Sequence, residues 1–523
     1  MVDQFVADVA IAGAGPVGLG LAIDLAQQGK SVVLLEKTRQ LHRIPKGQSL
    51  TQRTGEHFRR WGISQAVRQV SPIPPEFGNA GVITYGNLLG EYHHDWFQRS
   101  KVRPYYFADN ERLPQYLLED VMRQRAREFA NIELITGASV TGVTQDDSHA
   151  TLRCEATPES AGVEVQASYV VGCDGARSVV RELAGIKQDT DHQGPRMALL
   201  VFRSKALDGL LARFPGKTIF NVYWQFLGRV DLEGGWFYHA PVPDDATRDN
   251  FDFAAYLHKV VGAPFDIDFE HIGFWDLRIS MAQSYQNGRV FIAGDAAHSH
   301  PPYGGYGVNT GFEDATNLSW KLGACLDGWG SATLLSSYTA ERLPVFKSVS
   351  QDFIGRMIAD FDGFCSQFNP EQDKQAFEQA WQQRASADDV DVTEFLPNYA
   401  GSPLVLGQAN AQSGAKGMHS VRAQAGYHLA PQPLPDGSDL WDQVGGAFVL
   451  LELTDSPDQA QQFTAAAQAL GVPFRVVRHA STELQQAYGA PRLLVRPDLF
   501  VAWVGDKPPS GAQHVLAQAI GAA

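Results

Sequence analysis

Gly13-Ala14-Gly15-Pro16-Val17-Gly18 stands between a short apolar run, Ala7 to Ala12, and a helix-like stretch, Leu19 to Gln28. A second apolar run, Ser31 to Leu35, ends on Glu36, 23 residues after Gly13. Strand, tight glycine turn, helix, strand and acid over this span form a dinucleotide-binding pattern. Gly13 allows the turn, Gly15 lets the backbone approach a pyrophosphate, and Gly18 lets the helix pack closely on the strand. The helix N-terminus offers the phosphates free N–H groups and the positive end of its dipole. Glu36 is placed to accept hydrogen bonds from a ribose diol, which favours FAD or NAD over NADP.

Two later stretches also carry chemistry. Ser168 to Cys173 reads as an apolar strand running into Asp174-Gly175-Ala176-Arg177-Ser178, with Arg181 following. Arg289 to Ala293 reads as another, running into Gly294-Asp295-Ala296-Ala297-His298. The glycine-rich stretch Pro301 to Gly311 comes next, and a helix is expected over Phe312 to Leu326. A return to a Gly-Asp turn and a glycine-rich helix start, so late in the chain, predicts a second anion-binding helix N-terminus.

The elements that must hold these stretches follow from periodicity. A helix is expected in the second half of Pro45 to Ile63, with Phe58 and Trp61 inward. Another is expected over Arg112 to Ala126, where Leu113, Leu117, Leu118 and Val121 share a face. Asn131 to Val143 and Ala150 to Cys154 read as strands. From Met197 to Ile279, β-like runs rich in Phe, Trp and Tyr alternate with turns, clearest at Val222-Tyr223-Trp224-Gln225-Phe226 and Trp236-Phe237-Tyr238. That pattern predicts an inserted sheet, a core first and a pocket wall second. Ala385 to Gln432 is polar and broken by Gly and Pro, and is expected to be a linker. Pro433 to Ala523 reads βαβ then ββα.

Bulk composition narrows the function classes. The 523 residues carry 43 Lys and Arg against 58 Asp and Glu, a net charge of −15, so no basic surface invites nucleic acid or an anionic membrane. An apolar fraction of 44% excludes disorder as the dominant state. The most apolar stretch, Val9 to Ile23, contains Gly and Pro and falls short of the roughly 18 residues a membrane span needs. It also has no basic leader or cleavage site. Cys154, Cys173, Cys325 and Cys365 never approach C-x-x-C spacing, so no metal site and no dithiol pair is expected. A reducing cytoplasm fits this usage best.

Taken together, the stretches resemble the FAD-dependent aromatic hydroxylases, the single-component flavoprotein monooxygenases typified by p-hydroxybenzoate hydroxylase and phenol hydroxylase. The likeness runs from about Ala7 to Phe346. It includes Asp314-Ala315, Asn317-Leu318, Trp320-Lys321-Leu322, Tyr338, Glu341-Arg342 and Pro344-Val345. It implies an α/β fold: a Rossmann-like FAD-binding domain over 1–384, in three pieces at about 1–80, 110–190 and 280–384. A mostly antiparallel substrate sheet is inserted at about 81–109 and 191–279. Residues 433–523, with Val495-Arg496-Pro497-Asp498 and Val501-Ala502-Trp503, look like the thioredoxin-like domain of the phenol hydroxylase branch. It contains no cysteine. Its expected role is structural or at an oligomer contact, a homodimer among them; binding a protein partner is the other reading.

The resemblance implies roles at matching positions. Gly13, Gly15, Pro16, Val17, Gly18, Glu36 and Lys37 would hold the ADP half of FAD. Arg43, Gln115, Val140 and Asp174 would also touch FAD, and the Asp174-Gly175 segment serves both FAD and NAD(P)H in the family. Gly294 and Asp295 would bind the ribityl–pyrophosphate region, with Pro302, Gly305, Gly307, Val308 and Asn309 against the isoalloxazine. No second dinucleotide fold for the nicotinamide is expected.

The implied reaction is hydroxylation of a phenolic or related ring: NAD(P)H reduces FAD, O₂ adds to give a flavin hydroperoxide, and the electron-rich ring attacks its distal oxygen. A base near the substrate hydroxyl and a dry pocket are required. One departure matters. Lys46-Gly47-Gln48 replaces a commoner pattern in which His or Asp stands at the last position, and glutamine cannot take a proton. Candidate bases or orienting groups are then His239, Tyr238, Tyr223 and Gln48, with His298 and His300 near the glycine-rich loop. Arg103 and Arg278 could pair with a carboxylate substrate. Baeyer–Villiger insertion, epoxidation and ring opening of an aromatic or polyketide-like substrate are alternatives on the same chemistry. A flavin-bearing partner-binding protein without oxygenase activity is a lower one.

Overall fold

The computed structural model describes residues 2–77, 80–156, 162–222, 225–387, 390–456 and 458–523. The chain opens with β1 (Val2–Ala12), α1 (Pro16–Gln27), β2 (Val32–Glu36) and α2 (Gln52–Trp61). Strands β3 (Gly81–Thr84) and β4 (His93–Trp96) precede α3 (Gln115–Arg127), followed by β5 (Ile132–Thr136), β6 (Val140–Gln145), β7 (Ala150–Cys154) and β8 (Gly162–Gly172). Five strands come next: β9 (Gln188–Arg203), β10 (Ile219–Val222), β11 (Gln225–Arg229), β12 (Gly235–Pro241) and β13 (Asp268–Ala282). Strand β14 (Val290–Ile292) leads to α4 (Gly307–Leu326) and α5 (Ala332–Ser348).

These elements make two sheets. In the first, β14, β8, β1, β2 and β5 lie side by side and parallel, with β7 and β6 added antiparallel on β8. Parallel strands covered on both faces must be apolar throughout. Val9, Ala10 and Ile11 meet that need with no exposed surface. Helices α1 and α4 pack on one another beside this sheet. The second sheet runs β13-β9-β12-β11-β10-β3-β4 and is antiparallel except where β10 meets β3. Its long central pair, β9 and β13, carries the chain out of the first sheet and back.

Two helix boundaries differ from expectation. Helix α4 begins at Gly307, not Phe312. Gly311 lies inside it because a side chain there would sit 2.6 Å from Val17 Cγ2, so this glycine serves close packing and not a turn. Helix α3 begins at Gln115 because Pro114 takes the position before it, and Arg112 falls instead in a two-residue strand paired with Ser49–Leu50. That shift decides where the Arg112 side chain goes.

The C-terminal unit holds β15 (Phe448–Glu452), α6 (Asp458–Leu470), β16 (Phe474–Arg478), β17 (Arg492–Val495), β18 (Val501–Gly505) and α7 (Ala512–Ala519). Its order is β16-β15-β17-β18, with β15 and β16 parallel and the other pairs antiparallel, a thioredoxin-like sheet. Within residues 385–432, expected as a linker, Phe395–Asn398 pairs with Gly414–Lys416, and Tyr399, Leu404 and Ala415 are buried. Among the described residues, no helix is long and apolar enough to cross a membrane.

Candidate functional site

A cleft of about 660 Å³ runs between the two sheets. One end is built from backbone. Ala12 to Val17 line it, where β1 hands over to α1, together with Glu36 and Lys37 at the end of β2. Gly13 takes φ +101°, and a side chain there would lie 2.3 Å from the Cys173 carbonyl oxygen. Gly18 does not line the cleft; it lets α1 cross the Gly13 carbonyl, which a side chain would approach to 1.9 Å. At Gly15 the same substitution meets nothing within 4 Å, because this position faces the open cleft. Glu36 steadies the turn: Ala14 N–H donates to its Oε2 at 2.9 Å, and the Thr38 N–H and hydroxyl donate to Oε1. Three bonds leave a carboxylate about one further lone pair for a ligand hydroxyl.

The middle of the cleft is framed by α3 and the glycine-rich loop. Gln115, Glu119 and Arg123, spaced four apart, present one polar face of α3 to it. Gln115 Nε2 donates to Glu119 Oε1 at 2.7 Å, and burial raises the Glu119 carboxyl above its usual range. Asp174, Asp295, Pro302, Gly305, Gly307 and Val308 also line the cleft, as do Val140 and Gln48. Asp295 opens onto the cleft, yet the surrounding protein raises its carboxyl by desolvation, against the pull of His298 and Lys46. Its turn is anchored from behind: the Gly294 N–H donates to Asp314 Oδ2 at 2.9 Å, and so does His298 Nε2 at 2.7 Å. Asn309 also stands behind the wall. Its Nδ2 donates to the Ser49 and Gly305 carbonyls and its Oδ1 accepts from the Thr51 N–H, tying two cleft segments together.

The far end is aromatic. Trp96, Phe97, Ile219, Phe226 and Phe237 line it, and His239 and Arg112 are polar groups there among the described residues. Alternation along β12 sorts the candidates. Phe237 and His239 face the cleft, whereas Trp236, Tyr238 and Ala240 enter the apolar core on the opposite face. Tyr238 as a catalytic group is therefore corrected: it has no exposed surface, and its hydroxyl donates to Gln225 Oε1. Tyr223 lies outside the described residues. His239 is 7% exposed, its Nδ1 has no partner, and burial holds its pKa down at about 4. Arg112 is also buried, with Nε unpartnered and NH2 donating to the Arg229 carbonyl at 3.2 Å; burial lowers it to about 9, so it stays cationic at neutral pH. The Phe237 ring lies 5.9 Å from the Arg112 guanidinium and 5.6 Å from the His239 ring.

The remaining candidates divide. His300 lines the cleft; its Nδ1 lies 2.5 Å from the Pro301 carbonyl, so it carries the proton and leaves Nε2 as an unpartnered acceptor. His298 does not line it and stacks on Phe346 at 4.3 Å. Arg43 is not part of the cleft lining; its exposed side chain lies 3.8 Å from Asp120 and over the ring of Tyr116, which does line the cleft. Arg103 and Arg278 lie outside the cleft lining too, and Arg103 pairs with Asp109. Arg112, Glu119 and Arg123 escaped the reading of the sequence, although the four-residue spacing from Gln115 would have marked the last two.

Residues 6–352 match the family model of an FAD binding domain, and residues 424–523 match that of the aromatic-ring hydroxylase C-terminal region. The chain belongs to the FAD-dependent aromatic-ring hydroxylases. It is 29% identical to a putative polyketide hydroxylase of Streptomyces halstedii, over 96% of this chain and 93% of that one. It is 28% identical to 4-methyl-5-nitrocatechol 5-monooxygenase of a Burkholderia species, over 95% and 93%. The solved structure of the rebeccamycin biosynthetic enzyme RebC with reduced flavin superposes with a TM-score of 0.86 at 26% identity, covering both chains completely. This hydroxylase is thus an FAD-dependent monooxygenase, with NAD(P)H as electron donor and O₂ as co-substrate. Its cleft suits FAD on its own evidence: Gly15 and Gly175 leave open cradles that a side chain would fill, and Gln48 Oε1 and Arg123 Nε are buried without partners.

Proposed function

We propose that this hydroxylase oxygenates a phenolic ring seated at the aromatic end of its cleft, with His239 and Arg112 facing the ring hydroxyl. The observation that carries this reading is the presence of two buried polar groups, His239 Nδ1 and Arg112 Nε, both unpartnered, with the His239 ring 5.6 Å and the Arg112 guanidinium 5.9 Å from the Phe237 ring. With the ring proton on Nε2, a neutral His239 accepts the phenolic O–H, and the Arg112 cation stabilises the negative charge that builds on that oxygen. A ring richer in electrons is the better nucleophile toward activated oxygen. Trp96, Phe97 and Phe226 clasp the ring faces and keep water out, and Gln48 orients without exchanging a proton.

FAD, when bound, supplies the redox chemistry, taking a hydride from NAD(P)H and activating O₂. Gly13 to Val17 and Glu36 would hold its ADP half, and Gln115, Arg123, Asp174 and Asp295 its middle. Pro302, Gly305, Gly307 and Val308 would lie against its ring system.

The test is anaerobic stopped-flow of the flavoprotein with NADH and with NADPH, in the presence of single-ring and fused-ring phenols. The panel spans both kinds because relatives named for a polyketide and for a nitrocatechol match over nearly the whole chain. At least one phenol should accelerate flavin reduction and be hydroxylated in air. A panel in which none does either overturns the phenol reading.

A further inference from the structure

We propose that the thioredoxin-like unit is the positioning element of the flavin cleft, acting through the turn Arg496–Phe500, with Arg496 as the positioning residue. The inference rests on the reading that the cleft holds FAD, and it gives a task to a unit none of whose described residues lines the cleft.

The turn is built to reach outward. It leaves β17 at Val495, closes with the Arg496 N–H donating to the Phe500 carbonyl at 2.8 Å, and holds Leu499 at φ +70°. A left-handed leucine persists only where the surroundings enforce it. Arg496 has no exposed surface. Its guanidinium forks onto Glu341 of α5 at 2.6 and 3.0 Å, and its other edge holds Asp498 at 3.0 and 2.6 Å. Glu341 also accepts from Asn317 and Lys321 of α4 and from Ser402, so one carboxylate gathers three segments around the turn. The turn's backbone grips α2 as well: Pro497 O accepts from Arg60 and Asp498 O from Arg53, at 2.7 and 2.8 Å.

From there two routes reach the cleft walls. Arg53 continues to Glu313 of α4 at 2.5 Å, one turn beyond Asn309, the residue that ties the Ser49 and Gly305 carbonyls. Along the second route Phe500 packs on Tyr399 with ring centres 4.1 Å apart, and the Tyr399 hydroxyl accepts from Arg342 at 3.2 Å. Arg342 donates to Asp314 at 2.7 Å, and Asp314 holds the Gly294 N–H next to Asp295. Two parts of the cleft wall, the Ser49–Gly305 tie and the turn at Asp295, are thus fixed, from behind, to one turn of the C-terminal unit.

A structural role alone explains this poorly. Buried ion pairs cost so much desolvation that apolar side chains of similar volume often serve adhesion as well or better. Apolar adhesion is already present, where Trp320, Leu334 and Leu404 join the core of the C-terminal unit. What a charged, hydrogen-bonded network adds is one defined arrangement of the elements it joins.

The test removes the fork without changing the net charge. In Arg496→Met/Glu341→Gln one positive and one negative group disappear together, and Lys321 and Asp498, whose charges already act on one another, keep the remaining buried cluster neutral. The protein is stripped of FAD and titrated back, reading flavin fluorescence, the visible spectrum of bound flavin, far-UV circular dichroism and Tm. The expected result is a native dichroism spectrum with Tm within a few degrees, an FAD Kd raised at least tenfold, and an altered visible band. An unchanged Kd and spectrum overturn the proposal. If the double variant does not fold, Arg53→Lys gives the same readout: it keeps the charge on α2 but cannot span Glu56, Glu313 and the Asp498 carbonyl together, and a three- to tenfold rise in Kd is expected. A wild-type Kd there overturns the proposal equally. Failure of the wild-type protein to take up FAD would instead sink the cofactor reading.

Discussion

The two ends of the cleft are made in different ways. At the nucleotide end the wall is main chain, a glycine turn and the start of α1, with Glu36 folded back to brace it. At the aromatic end the wall is side chains, projected from β12, β11, β4 and the short strand holding Arg112. A backbone wall tolerates no alternative at its glycines, and a side-chain wall tolerates exchange of shape and charge. The first end therefore fits a cofactor common to many enzymes, while the second can be retuned for one substrate.

The strongest way to break this contrast is inside the glycine turn itself. Gly13→Ala would force a side chain against the Cys173 carbonyl at a left-handed φ, so the turn must open. Colourless protein is expected, with turnover reduced more than a hundredfold. Gly15→Ala, in the same turn, adds a Cβ that meets no protein atom within 4 Å, at an ordinary φ of −76°. It should fold with native Tm and lose FAD affinity at least tenfold. Equal damage to folding from both would show that Gly15 packs against protein and faces no ligand.

At the other end, Arg112→Met should leave FAD uptake intact and lower hydroxylation of a phenol by 10²- to 10³-fold, the scale set by losing one charged group that stabilises a developing anion. Absorbance at the flavin band and product formation separate the two effects. Lost FAD would move Arg112 to the cofactor end and erase the contrast.

How legible each end was follows from the same difference. Gly13, Gly15 and Gly18 share one turn and Glu36 ends the neighbouring strand, so a single strand–helix–strand unit already brings them together. His239 and Tyr238 are adjacent in sequence and equal as candidates there; only the facing of β12 against β9 and β11 separates them. Arg112 falls within an amphipathic pattern, but Pro114 disfavours helical backbone at Leu113, and the cleft position of Arg112 depends on pairing with Ser49–Leu50, more than sixty residues upstream. The Arg496 motif was visible as a string, but its partner Glu341 lies 155 residues away, and no local rule joins them.

His239 offers a finer test through pH. Burial lowers its folded pKa to about 4 from an ordinary value near 6.5, so the unfolded chain binds a proton that the folded protein refuses between those values. Stability is whole above pH 6.5 and falls as the pH drops toward 4, by roughly 3 kcal/mol from this group. His239→Asn should flatten that acid limb in urea titrations at pH 7 and pH 4.5. It should also lower kcat about a hundredfold at neutral pH, where the wild-type ring is already neutral. A variant that loses activity but keeps the acid limb would show that another buried group, His300 among them, carries the titration.

The smallest effect is expected one residue away. Tyr238 is as buried as a residue can be, between the sheet and the helix Phe253–Val261, with the Tyr256 ring 5.9 Å from its own. Tyr238→Phe removes one hydroxyl and its bond to Gln225 while preserving the packed ring. The loss should be about 1 kcal/mol of stability, with kcat, KM and FAD affinity unchanged within twofold. This near-silence is informative because His239→Asn, on the next residue of the same strand, is expected to cost two orders of magnitude. If Tyr238→Phe instead loses activity on that scale, β12 presents its other face to the substrate, and the aromatic end of the cleft belongs on the opposite side of the sheet.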